Sequence, residues 1–171
     1  MLTGCPESYR VIDEEVREDD AAIHIRDFRR ESVATSGEKQ WFVEAKEAFI
    51  YQKNKQPDRI IAYEFRFEQF DKNGRRTDVM TAARGEIDNE DEMFYLQGNV
   101  FAESEAGKRR IRAESVAYDQ IEELMTSDAL VIIEEEGTLT RCERGAEIDN
   151  AHNRQVSKGP IVVTTAASRA V

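Results

Sequence analysis

The stretch that decides the fold is Met80-Thr81-Ala82-Ala83-Arg84-Gly85-Glu86-Ile87-Asp88, with Leu96-Gln97-Gly98-Asn99-Val100 after it. Its order of Ala82, Gly85 and Ile87-Asp88 recurs along the chain. Toward the amino terminus it appears as Ala45, Ala48 and Ile50 within Trp41-Phe42-Val43-Glu44-Ala45-Lys46-Glu47-Ala48-Phe49-Ile50-Tyr51. Toward the carboxy terminus it appears as Ala113, Val116 and Tyr118-Asp119, then as Cys142, Gly145 and Ile148-Asp149 with one residue inserted. The first positions lie 37, 31 and 29 residues apart. A second series, Gly98-Asn99-Val100, Asp128-Ala129-Leu130 and Gly159-Pro160-Ile161, is spaced by 30 and 31 residues. The turns Asp71-Lys72-Asn73-Gly74, Glu105-Ala106-Gly107 and Glu135-Glu136-Gly137 keep the same beat. Such a period marks an architecture of stacked supersecondary units that bury a common face.

Each unit reads as two strands and two turns, with glycine supplying the permissive φ of one turn and Asn, Asp or Ser favouring the other. Ile61, Tyr63, Phe65 and Phe67 alternate with Ala62, Glu64 and Arg66, the period of a strand with one apolar face. In the repeat register that face carries Phe94, Leu96, Val100 and Ala102, then Leu124, Leu130 and Ile132, then Ile161 and Val163. The other strand of each unit adds Val43 and Ala45, Met80 and Ala82, Ile111 and Ala113, and Cys142. Charged residues fill most opposite positions. The expected fold is all-β: an open antiparallel roll of roughly a dozen or more short strands built from repeats of about 30 residues, its inner faces meeting. Ala22 to Gly37 reads as a degenerate first unit.

With 171 residues and a net charge of −11, the chain is one acidic domain of ordinary size. A nucleic-acid binder needs the opposite sign. The longest apolar run is Ala129-Leu130-Val131-Ile132-Ile133, whereas a spanning helix needs about 18 residues.

No constellation for catalysis is present. His24 and His152 read as surface residues. Asp71-Lys72-Asn73-Gly74 places glycine too early for a calcium loop and is a turn. Asp88-Asn89-Glu90-Asp91-Glu92 reads as a hydrated connection, and Glu134-Glu135-Glu136 as a solvated cluster before a turn glycine. A carbohydrate cleft would need stacking aromatics, and Trp41 is the only tryptophan. No metal site or cofactor is expected. A structural scaffold remains the competing reading: it predicts a sealed interior, and a lipid carrier predicts an apolar groove. Ala45, Ala82 and Ala113 could leave that room or complement Phe65, Phe67, Phe94 and Leu96.

Leu2-Thr3-Gly4-Cys5 has the form of a bacterial lipobox, whose cysteine is acylated and tethered to a membrane. A signal of that kind has basic and apolar regions ahead of it. Either a start further upstream supplies them or the match is fortuitous. Residues 6–20 have the charge density and lack of periodicity of a solvated tether. The expected division is a lipobox and flexible tether over residues 1–20 and one domain over residues 21–171, with Cys5 as the lipidated residue and Cys142 buried and unpaired.

The run from Gly74 to Val100 resembles the LptC proteins of lipopolysaccharide export, as does Trp41-x-Val43-x-Ala45-x-x-Ala48 with Tyr51 and the turn after Phe70. The Gly98-Asn99-Val100 element is shared with the periplasmic bridge protein LptA and with a domain of LptD. The resemblance covers about residues 22–165. It implies a periplasmic β-jellyroll, open along one side and anchored to the inner membrane only through its amino terminus, that binds glycolipid acyl chains without chemistry. The residues expected to line that site are Phe65, Phe67, Met80, Phe94, Leu96, Val100, Ile111, Leu130 and Ile132. The implied partners are an inner-membrane transporter of the LptB, LptF and LptG type near Ile23 to Phe28 and an LptA-like bridge. The bridge would pair with the uncharged strand Ile161-Val162-Val163-Thr164-Thr165, an edge that no internal Lys or Pro protects. A soluble LptA-like protein is the alternative.

Overall fold

The computed structural model describes residues 20–104, 108–150 and 154–165. Cys5, His152 and the turn at Glu105-Ala106-Gly107 lie outside them. The described residues form twelve strands and one antiparallel sheet: β1 (Ile23–Val33), β2 (Lys39–Lys53), β3 (Gln56–Phe70), β4 (Arg76–Asp88), β5 (Met93–Ser104), β6 (Arg109–Asp119), β7 (Leu124–Ser127), β8 (Val131–Glu135), β9 (Thr138–Cys142), β10 (Ala146–Asp149), β11 (Arg154–Ser157) and β12 (Ile161–Thr165). The strands are not uniformly short; β1 to β6 run 11 to 15 residues each.

Neighbours in sequence pair from β1 through β6, after which the sheet forks. The start of β6 pairs with β8 and its end with β7; β8 continues to β9 and β12, and β7 to β10 and β11. Thus β7 with β8, β9 with β10 and β11 with β12 act as three long strands, each interrupted once. The interruptions at residues 128–130, 143–145 and 158–160 line up with breaks in the ladders of the longer strands.

Those breaks form a crease across the sheet. Pairing skips Asp27 opposite Lys46, Lys46 opposite Glu64, and Glu64 opposite Ala83, and it shifts register at Gly98-Asn99. Asp27, Glu64 and Asn99 have φ of 52°, 53° and 49°, a left-handed conformation costly for residues with a Cβ. The positive φ breaks the alternation and turns the strand over. On β4, which has no positive φ of its own, Ala82 and Gly85 both adjoin Phe65 across the same crease, although i and i+3 in a regular strand face opposite sides. Gly145 shows how tight this line is: a Cβ there would lie 2.1 Å from the Ser127 carbonyl oxygen.

The crease folds the sheet onto itself. Phe67 lies level with Met80 on β4 and Ala102 on β5, and Phe94 is eight residues from Ala102, about 26 Å along a flat strand. The Phe67 and Phe94 ring centroids are 4.9 Å apart. Two apolar faces thus close on each other as a V-shaped roll. The crease forms its spine and the hairpin turns its two lips.

Burial corrects the register in three places. Leu124, Leu130 and Ile132 do not face inward; Met125, Val131 and Ile133 do, at 1–2% exposure. Ala113 pairs with both Val100 and Val131, so the third repeat begins one residue later than its spacing implies. Ile61 and Tyr63 pair with Phe49 and Glu47 on the outer face while Phe65 and Phe67 are inside, because Glu64 turns the strand over between them. Ile161 and Val163 pair with Cys142 and Thr140, on the inner side, yet the end of the roll leaves them open. Cys142 is free and fully buried, as its repeat position requires.

Candidate functional site

The inner face is continuous from β1 to the carboxy-terminal strands. At its centre Trp41, Phe65, Phe67, Phe94 and Tyr118 form one aromatic cluster with centroid separations from 4.9 to 6.4 Å. Tilted and edge-on contacts of this kind add to the burial of the rings themselves. Met80, Leu96, Val100 and Ile111 extend the surface, all almost completely buried. Phe65 packs so closely on β4 that a Cβ at Gly85 would lie 2.5 Å from its ring. The glycine of the founding motif therefore makes room for an aromatic residue across the ladder.

Of the nine residues expected to line an acyl site, seven converge on this interior. Leu130 and Ile132 instead lie with Phe101 and Arg112 in a cleft of about 470 Å³ whose inner side is bordered by Val100 and Ala113. Trp41, Tyr118, Val131 and Ile133 belong to the interior without having been selected. Trp41 and Tyr118 sit at strand ends beside polar turns, and only the tertiary fold turns them inward.

The interior is closed, and several clefts among the described residues border it. Along the spine a cleft of about 690 Å³ is bordered by Phe28, Ala45, Phe65 and Ala82, under a rim that includes Lys46 and Glu64. All three alanines thus border open space, Ala113 in the cleft beside Leu130, and the crease supplies the reason: the ladder is unpaired there. A smaller cleft of about 260 Å³ lies between the lips, floored by Trp41, Ile87 and Phe94.

Polar contacts hold the lips together. Tyr118, near the end of β6, donates its hydroxyl to Gln69 Oε1 of β3 at 2.6 Å, and Gln69 Nε2 donates to Glu123 at 3.3 Å. Burial first, then the negative charges of Asp78 and Glu123, push the Tyr118 hydroxyl well above an ordinary tyrosine, so it remains a neutral donor. Arg30 of β1 donates to Asn89 Oδ1 at 2.7 Å from the other lip.

At the sheet's extremes, among the described residues, β1 pairs only with β2, β11 only with β10 and β12 only with β9. Both faces of β12 are exposed, Ile161 at 54% and Val162 and Val163 at 53% each.

No group of three or more metal-ligating side chains occurs among the described residues. Asp88 spends its carboxylate on the amides of Glu90 and Asp91, as a turn does. No described helix is long and apolar enough to cross a membrane.

The family model for LptC, described as lipopolysaccharide-assembly, LptC-related, matches residues 5–144. The chain belongs to the LptC family. That membership makes it a periplasmic protein of lipopolysaccharide transport, in a family of transport components. Among solved structures the chain is similar to LptH, titled the LptA homologous periplasmic component of the conserved lipopolysaccharide transport device from Pseudomonas aeruginosa. The TM-score is 0.59 at 12% identity, covering 74% of this chain and 94% of that one. This likeness supports the jellyroll fold. No curated protein matches in sequence.

Proposed function

We propose that this LptC-family chain is a relay: it receives lipopolysaccharide from an inner-membrane ATP-driven transporter at its β1 edge and passes it to an LptA-like bridge at β12. The acyl chains travel between the two halves of the roll, and no bond is made or broken. The observation that carries this reading is one apolar inner face that runs between two unpaired sheet edges. Each methylene withdrawn from water contributes about 0.8 kcal/mol, enough over several chains to offset parting a packed interior.

In this reading Phe65, Phe67, Met80, Phe94, Leu96, Val100 and Ile111 face the cargo, with Val131 and Ile133 where the repeat spacing points to Leu130 and Ile132. The closed interior is also what a structural scaffold would have, and the family argues for a carrier that opens on loading. Residues 1–20 form the tether, residues 21–171 the domain, and acylated Cys5 the membrane anchor. Mass spectrometry of the mature protein should find that acylation. An unmodified Cys5 would move the assignment to a soluble bridge, the alternative that the fold shared with LptH favours.

Handover at β12 is tested with proline at Val162 and, separately, at Val163. Proline removes one ladder donor, and only one of the two amides points away from β9. At least one variant should keep the parent's circular dichroism and lose capture of the bridge. If both remain folded and bind as tightly as the parent, the edge-pairing model is wrong.

A further inference from the structure

The cleft between the lips has the chemistry of an amphiphile site. Its floor is Trp41, Ile87 and Phe94, and Arg30 is the only cation among its lining residues. The position of Arg30 is unusual for an arginine. Its neighbours across the ladder are Val43 and, two residues on, Ser32 opposite Trp41, so the side chain belongs to the inner face. Its guanidinium carbon lies 5.4 Å from the centroid of the Trp41 ring. Partial burial pulls its pKa below the ordinary arginine value, the sign of a cation short of compensation. Its one hydrogen bond across the lips is to a neutral amide oxygen, Asn89 Oδ1. Asn89 in turn is held by the carbonyl of Pro57 through its side chain and by that of Asp58 through its amide. Two acidic residues also line the cleft, Asp88 and Glu92; Asp88 is engaged by its own turn, and the half-buried guanidinium of Arg30 is turned to Asn89 and the Trp41 ring.

We infer that the cleft over Trp41 is a lateral entrance for an anionic amphiphile, in which Arg30 exchanges Asn89 for the ligand's phosphate while the alkyl chain enters between Trp41 and Phe94. This rests on the carrier reading and deepens it by naming where a chain enters and which head group the entrance selects. A charged acceptor satisfies a half-buried guanidinium better than an amide does, and bidentate geometry is open to phosphate. With the latch exchanged, the lips lose one of their polar contacts at the moment a chain arrives.

Trp41 is the only tryptophan, so its fluorescence reports the floor of the cleft without labelling. The probes are a bromine-bearing undecyl phosphate and a bromine-bearing undecyl maltoside, both kept below the concentrations at which they form micelles. The phosphate should quench Trp41 at about tenfold lower concentration than the maltoside, the scale of one charge-assisted hydrogen bond. Arg30→Gln should abolish that preference, and Arg30→Lys should keep part of it. Asn89→Ala, which leaves Arg30 in place without its partner, should strengthen phosphate quenching and leave the maltoside response unchanged. Equal quenching by both probes in the parent, no quenching by either, or a preference that survives Arg30→Gln overturns the inference; if Arg30→Gln does not fold, an unchanged phosphate response in Asn89→Ala does so. A chain captured in cells at Val100 with no head-group preference at Trp41 would defeat this entrance alone, whereas no capture at Val100 would defeat the carrier reading beneath it.

Discussion

Two apolar surfaces of this molecule, the inner face around Phe67 and the strand β12, are built from similar residue types under opposite conditions. Phe65 and Phe67 are 1% exposed and packed against other rings, whereas Ile161, Val162 and Val163 are more than half exposed and paired on one side only. The first surface has repaid its ordering entropy through contacts within the chain. The second has ordered residues with almost no burial to offset the cost, which is the condition of a strand whose second neighbour belongs to another molecule. The contrast separates what holds the fold from what remains available for handover.

The largest effect expected of that contrast is on stability. Phe67→Ala removes a ring that contacts Trp41, Phe94 and Tyr118, and it should cost about 3–5 kcal/mol in urea unfolding. Val162→Ala should change the same quantity by no more than about 0.5 kcal/mol. Comparable losses at both positions would mean that β12 belongs to the core and is no free edge. Next in size is Gly85→Ala, which places a Cβ against Phe65. Overpacking there should cost about 1–3 kcal/mol, and a neutral result would show that the inner face yields more readily than its packing implies.

The smallest effect belongs to the turn after β3. Asp71 Oδ1 accepts the amides of Arg75 and Asn73, and these bonds, Arg75 first, hold its carboxyl below the ordinary aspartate value. A depressed folded pKa contributes stability above the unfolded pKa and loses it as pH falls through the folded one. Asp71→Ala should therefore lower Tm slightly at neutral pH, and the difference from the parent should vanish in acid. A difference that grows in acid would contradict the assigned hydrogen bonds.

Much of the fold was legible in the sequence because a repeat states the same fact several times. The inner positions Val43, Phe65, Met80, Phe94 and Ile111 all follow from alternation and register. The failures have two causes. A crease reverses the alternation, so Ile61 and Tyr63 part company with Phe65 across Glu64. The signal was present as pairs of small residues three apart, Ala45 with Ala48 and Ala82 with Gly85, a spacing that an unbroken strand cannot place on one face. At Ala129-Leu130-Val131-Ile132-Ile133 both alternations are apolar, and only the pairing of Ala113 with Val131 decides between them. The lip contacts of Arg30 with Asn89 and Tyr118 with Gln69 join residues 59 and 49 positions apart, beyond the reach of any local pattern.

The carrier reading is tested most directly by placing a photo-crosslinking residue, in cells exporting lipopolysaccharide, at inward Val100 and in parallel at outward Ile132 and Arg112. These outward positions pair with each other across β6 and β8, so they share the neighbourhood of Val100 while facing away from the interior. Capture of lipopolysaccharide at Val100 and its absence at Ile132 and Arg112 is the result expected of acyl chains carried inside the roll. Equal capture on both faces, or none at Val100, would contradict it.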